Sequence, residues 1–244
     1  GAPQTGSVAD VTLLDDTTPN IPTYTALPAP ATGTGFQMKL DEFEVQPNFE
    51  RELFIRKGLG NTSTVYVNKV QIKMRPGSHH FILYGFRDLK NLPPMGVMRD
   101  LRNADGSYNL VTFTQMGNHI FNFGGSEANY EYTFPEGTGV EVPADMTFDM
   151  NSHYFNKGTK PIKGETQINL FTTPKANVKN VLKVIDFANN NLSIPAKSRI
   201  ILSKDFVFDK NVKIVNLTSH THKLGEKFEI LIKGGSRNGE VIYT

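Results

Sequence analysis

The chain carries six histidines and no cysteine. Five of the six fall in three short strings: His79 and His80 in RPGSHHFILYG, His153 in FDMNSHYFN, and His220 and His222 in LTSHTHKLGEKFEI. The lack of cysteine excludes thiolate metal sites, thiol nucleophiles and disulfides. His220 and His222 are two residues apart, so on a strand they share a face, with Thr221 on the other. His79 and His80 are adjacent and would point to opposite faces of a regular strand. Both reach one ion only if the backbone twists or bulges, which the upstream Pro76-Gly77-Ser78 permits. A lone strand histidine is more often a satisfied or surface residue than a ligand, and His119 in MGNHIFNFGG is read that way. Five of six histidines gathered into HH, SHY and HTH point to metal. No carboxylate lies within HH, SHY or HTH themselves. Two- and three-imidazole sets suit copper or zinc, and Cu(II) binds nitrogen ligands more tightly than Zn(II). Spacing alone leaves the choice open.

The elements that must position these residues read as strands. FQMKLDEFEV, TVYVNKVQIKM, HHFILYGF, YNLVTFTQ, MTFDMNSHYF and TQINLFTT are short β-branched and aromatic runs bounded by Gly, Pro, Asn and Asp. VLKVIDF, SRIILSKDFVF, VKIVNLTSHTH and KFEILIKG continue the series. In VYVNKVQIKM the apolar positions change face around Asn68–Lys69, as in a strand with a local irregularity. No window sustains a 3.6-residue apolar period, and RDLKNLPPMG allows at most one helical turn before its prolines. Regular turn signals without helices predict an all-β chain of antiparallel sandwiches. Residues 1–35, rich in Thr, Pro, Ala and Gly, read as an extended arm. The break at FTTPKANVKN divides a first sandwich over 36–174 from a second over 175–244. That second unit is light for a sandwich, and it reaches GEVIYT in mid-strand, so it is expected to be incomplete.

Composition narrows the function. Net charge is +2 with acids and bases interspersed, which gives no footprint for nucleic acid. The longest apolar runs, such as FILYGF, fall far short of the ~20 residues that span a bilayer. GAPQTGSVAD has no charged segment followed by an apolar one, so no signal peptide is expected within it.

RPGSHHFILYG, FPEGTGVEVPADMTFDMNSHYFN and LTSHTHKLGEKFEI, in that order, resemble the copper type II, ascorbate-dependent monooxygenases. That family includes peptidylglycine alpha-hydroxylating monooxygenase and dopamine beta-monooxygenase. The resemblance runs from about residue 36 onward, and HTHxLG is its most specific piece. It implies two antiparallel jelly-roll domains, each with one copper, facing an open cleft. The first copper would take His79, His80 and His153 and relay electrons from ascorbate or an equivalent reductant. The second would take His220, His222 and a methionine further along, and there O2 would hydroxylate a C–H bond of a small-molecule or peptide substrate. A soft thioether suits Cu(I). No methionine follows the HTH string in this chain, which is expected to be C-terminally incomplete. The family's animal members are disulfide-rich, whereas these sandwiches must hold by packing alone. The resemblance also implies a secreted or periplasmic location. His119 takes no ligand role from it.

Two other readings stand beside this one. A non-catalytic sandwich could keep the same histidines for copper capture or interaction. A zinc site of hydrolytic type would want a carboxylate base, for which Glu226 and Glu229 are the nearby candidates, Glu226 at even spacing from His222.

Overall fold

The computed structural model describes residues 24–187, 189, 192–219, 221 and 225–244. They divide into two units, one running to Thr133 and again over Gly137–Val184, the other made of Phe134–Glu136 and Ile185–Thr244. The chain is all-β and sandwich-like. Among the described residues, no helix is long and apolar enough to cross a membrane.

The first unit holds strands β1 (Gly35–Val45), β2 (Phe49–Gly58), β3 (Val65–Met74), β4 (Ser78–Phe86) and β5 (Met98–Asp100). After helix α1 (Leu110–Gln115) come β6 (His119–Gly125), β7 (Asn129–Thr133), β8 (Thr138–Val142), β9 (Thr147–Asn156), β10 (Ile162–Thr173) and β11 (Asn180–Leu182). One sheet runs β1-β10-β3-β8-β11, with β7 also on β3, and the other runs β5-β2-β9-β4-β6. The pairs are antiparallel except β11, which lies parallel to β8.

Alternation puts one row of each strand between the sheets. Leu40, Val70, Ile72 and Ile168 from one sheet, and Leu53, Phe81, Leu83, Phe148 and Met150 from the other, are buried. Each such side chain contributes roughly 1.5–3 kcal/mol on burial, and packing of this kind does what disulfides cannot do here. The change of face in β3 is a bulge: Lys69 pairs with Phe171 but Val67 with Thr172, so Asn68 is the extra residue. A second bulge, between Leu40 and Phe43 of β1, turns both of those side chains inward. The Phe43 ring then lies so close to Gly164 that a Cβ there would sit 2.3 Å from it, which requires glycine at that position.

The structure departs from one strand expectation here and adds detail to two segment boundaries. YNLVTFTQ is not a strand, because the Asn109 side chain caps α1 by accepting from Val111 N and Thr112 N, and α1 continues into a 3-10 turn, Met116–Asn118. Capping satisfied those amides locally, and Leu110, Val111 and Phe113 became exposed helix positions while Thr112 is buried. Of the arm read over 1–35, residues 1–23 lie outside the described residues, and 24–34 are held against the first sheet. The Gln167 side chain accepts from Leu27 N, while Gln37 and Asn169 donate to the Leu27 and Pro28 carbonyls at 2.8 Å. The sheet thus supplies hydrogen-bonding partners to a segment that has little apolar surface of its own. The first unit also runs on to Val184, past the boundary expected at 174, because β11 joins β8.

In the second unit the described residues form one ladder, β12 (Ile230–Leu231) with β13 (Val241–Tyr243). Residues 198–208 and 212–219, expected as strands, belong to no strand among the described residues. A strand is stabilised by its partner, and alternation alone supplies none.

Candidate metal centre

The turn that enters β4 makes the site. Pro76 and Gly77 occupy the middle of a turn closed by Ser78 N donating to Arg75 O, and Gly77 has φ +91°. Proline then glycine with positive φ is the sequence demand of a type II turn. The turn carries the chain from β3 in one sheet to β4 in the other. Immediately after it the register slips: Ser78 pairs with Tyr154 and His80 with His153, so His79 is an extra residue. This is the bulge that adjacent histidines need if both are to face one point.

His79, His80 and His153 converge on the outer face of the second sheet. Their ring centroids form a nearly equilateral triangle of 5.1, 5.0 and 4.9 Å. One potential ligand atom from each lies within 4.8 Å of the others. Nitrogens bound to a common ion at about 2 Å are at most about 4 Å apart, so small ring rotations would close the set. His80 is buried, His153 half-buried and His79 exposed, which leaves one side of the triangle open to solvent.

The surroundings decide which nitrogens are offered. His153 Nε2 donates to Glu50 Oε1 at 2.9 Å. His80 Nε2 donates to Asn151 Oδ1 at 2.8 Å, and the amide's orientation is fixed because Asn151 Nδ2 donates to Glu52 Oε1 and Leu53 O. With protons on Nε2, the lone pairs of both neutral rings are on Nδ1. His79 Nδ1 and His80 Nδ1 are 3.0 Å apart, a separation suited to sharing a proton or a cation. His153 Nδ1 is buried and has no hydrogen-bond partner. Burial, reinforced by the nearby His79 ring, pushes the His153 pKa below the ordinary imidazole value against the pull of Glu50. A neutral ring is what a metal requires. Burial also raises the Glu52 carboxyl, opposed by the Asn151 hydrogen bond. This donor set fits a copper or zinc ion bound through three imidazoles.

Polar residues absent from the sequence reading support the rings. Glu50 and Glu52 alternate along β2, and Asp149, Asn151 and His153 alternate along β9. On β9 the intervening residues Phe148, Met150, Ser152 and Tyr154 are fully buried in the other direction. The period-two row that contains His153 was the available signal: its neighbours two and four residues back had to share its face. His119 lies on this face as well, but apart from the triangle. Its Nε2 donates to Asp149 Oδ2 at 2.9 Å, and its ring stacks on Tyr84 with centroids 4.6 Å apart. Arg99 holds the other oxygen of Asp149. The structural reading of His119 agrees with this geometry.

His220 and His222 lie outside the described residues. Glu226 and Glu229 are engaged on the surface of the second unit, with Arg199 at 2.7 Å and Lys227 at 2.9 Å respectively. Comparisons with protein-family models, curated proteins and solved structures each found no match.

Proposed function

We propose that the chain holds a copper ion at His79, His80 and His153 and serves copper-dependent monooxygenation. The observation that carries the reading is the convergence of three imidazoles with a buried, unpartnered Nδ1 on His153. The order of the HH, SHY and HTH strings supports it. Copper bound there would supply one-electron exchange between a reductant such as ascorbate and the O2-dependent hydroxylation of a C–H bond in a small-molecule or peptide substrate. The residues supply what such exchange needs. His80 and His153 are tied at Nε2 by Asn151 and Glu50 and hold their donor atoms fixed. Nitrogen donors accept both copper oxidation states with little rearrangement. His79, exposed, leaves an approach for a soluble reductant. His220 and His222 are assigned to a second copper on the resemblance alone, and a secreted or periplasmic location follows from the same source.

Titration of the purified chain with Cu(II), followed by metal analysis and electron paramagnetic resonance, tests the reading. One copper should persist in His220→Ala and disappear in His80→Ala, and ascorbate should bleach its Cu(II) signal. A preference for zinc at equal concentrations would overturn the copper assignment. No uptake at all would overturn the centre.

A further inference from the structure

Glu50 stands one step outside the triangle, and its carboxylate is used at both ends. Oε1 accepts from His153 Nε2 at 2.9 Å, and Oε2 accepts from Arg102 Nη2 at 2.9 Å. Arg102 is itself held over the Tyr108 ring, 4.6 Å from its centroid. The other tied ring, His80, donates to the Asn151 amide, with the Glu52 carboxylate farther off at 3.9 Å from the same nitrogen. The two tied rings are therefore supported unequally, His153 by a carboxylate in direct hydrogen bond and His80 by an amide, with the Glu52 carboxylate beyond hydrogen-bond reach.

We infer that Glu50 is a positioning residue of the centre, fixing His153 with its Nε2 proton outward and its Nδ1 lone pair on the ion, and lending that one ligand anionic character. The inference rests on the copper-centre reading above. An ionised carboxylate only accepts, so the nitrogen facing it must be the donor, and the tautomer follows. The consequence is visible at the opposite nitrogen, since His153 Nδ1 is buried without a partner. A carboxylate on the far nitrogen also makes the imidazole a stronger donor. Cu(II) gains more from that than Cu(I), so Glu50 should hold the midpoint potential down. A surface ion pair between Glu50 and Arg102 would need neither feature.

Arg102 makes the test selective. In Glu50→Gln a single amide oxygen is contested by two donors, His153 Nε2 and Arg102 Nη2. In Glu50→Gln/Arg102→Leu that oxygen is free to serve His153, but the charge is still gone. Cu(II) affinity and Cu(II)/Cu(I) midpoint potential are measured on the whole chain at one pH, with thermal melts as a check on folding. Glu50→Gln should bind Cu(II) about 10–100-fold more weakly and show a raised potential. The double variant should recover part of the affinity and keep the raised potential. Unchanged affinity and potential in Glu50→Gln, beside a His153→Ala variant that has lost copper, would refute the positioning role and leave the centre standing. A loss in Glu50→Gln equal to that in His153→Ala would make Glu50 a ligand and equally refute it. If the wild-type chain takes up no copper, or His153→Ala binds as wild type does, the centre falls and the role of Glu50 with it.

Discussion

Two histidine sites share the outer face of one sheet, and they differ in what each leaves over. Asp149 and His153 stand on the same row of β9, roughly 13 Å apart at the usual strand rise. At His119 the polar groups turn to one another: Asp149 accepts from both Arg99 and His119, Arg99 also donates to Gln115 at 2.5 Å, and what is left over is a buried donor, Arg99 Nε, with no lone pair for a metal. Phe54, Tyr84 and Phe86 surround the ring. At the triangle the hydrogen bonds are spent on the far nitrogens, and the near ones turn toward each other. Among the described residues His119 belongs to no group of three potential ligands, whereas His79, His80 and His153 do. Burial and hydrogen bonding alone make a structural histidine. Convergence of the remaining donors makes a site.

Breaking each site in turn should separate copper binding from stability. His153→Ala should lower copper affinity by about 100-fold or more, or roughly 2.7 kcal/mol at that ratio, while His119→Ala leaves it unchanged in the same titration. Arg99→Met should do the reverse. It strands a carboxylate that is fully buried, at a cost of about 3–5 kcal/mol in chemical denaturation, with copper affinity preserved. A copper loss in Arg99→Met would mean that the two sites are one network. Gly77→Ala should act on both quantities, but less. Its φ of +91° is strained for any side chain, so about 1–3 kcal/mol should be lost. Copper binding should weaken with it, because that turn leads directly into the bulge that brings His79 beside His80.

The contrast also marks how far the sequence could be read. The sheets were legible because VYVNKVQIKM and MTFDMNSHYF alternate, and the face change at Asn68–Lys69 is the bulge of β3. The triangle was legible in its residues and in the condition it had to meet, an irregularity beside HH. Glu50, Asn151 and Arg102 were not singled out, since they come from β2, β9 and the segment after β5, and only strand pairing brings them together. YNLVTFTQ misled because a local cap on Asn109 outweighed β-branched propensity. In the second unit the same alternation failed as a guide to pairing. Ile200, Leu202, Phe206 and Phe208 are spaced as strand residues but stay exposed, since no neighbouring strand among the described residues covers them.

The smallest effect expected from the comparison is one of pH, and its sign follows from His153. Its folded pKa lies below the ordinary 6.5, mainly through burial and next through His79. The unfolded chain therefore takes up this proton first as pH falls, and stability drops wherever the unfolded state binds more protons. The metal-free chain should lose stability from about pH 6.5 downward, until pH passes the folded pKa. Glu52 works in the opposite direction, because its raised pKa lets the folded chain gain a proton earlier than the unfolded one. The difference between wild type and His153→Gln isolates the imidazole from that background. Denaturation midpoints of the two, measured from pH 7.5 to the acid side of about 6.5, should converge as pH falls if wild type starts the more stable. Curves that stay parallel would mean that His153 is no more reluctant to protonate in the folded chain than in the unfolded one. Its ring would then be no better prepared for a metal than an exposed histidine. Repeating the wild-type series with copper present should leave the onset in place and carry the loss on to lower pH, because the ion competes with the proton for the Nδ1 lone pair of the folded chain.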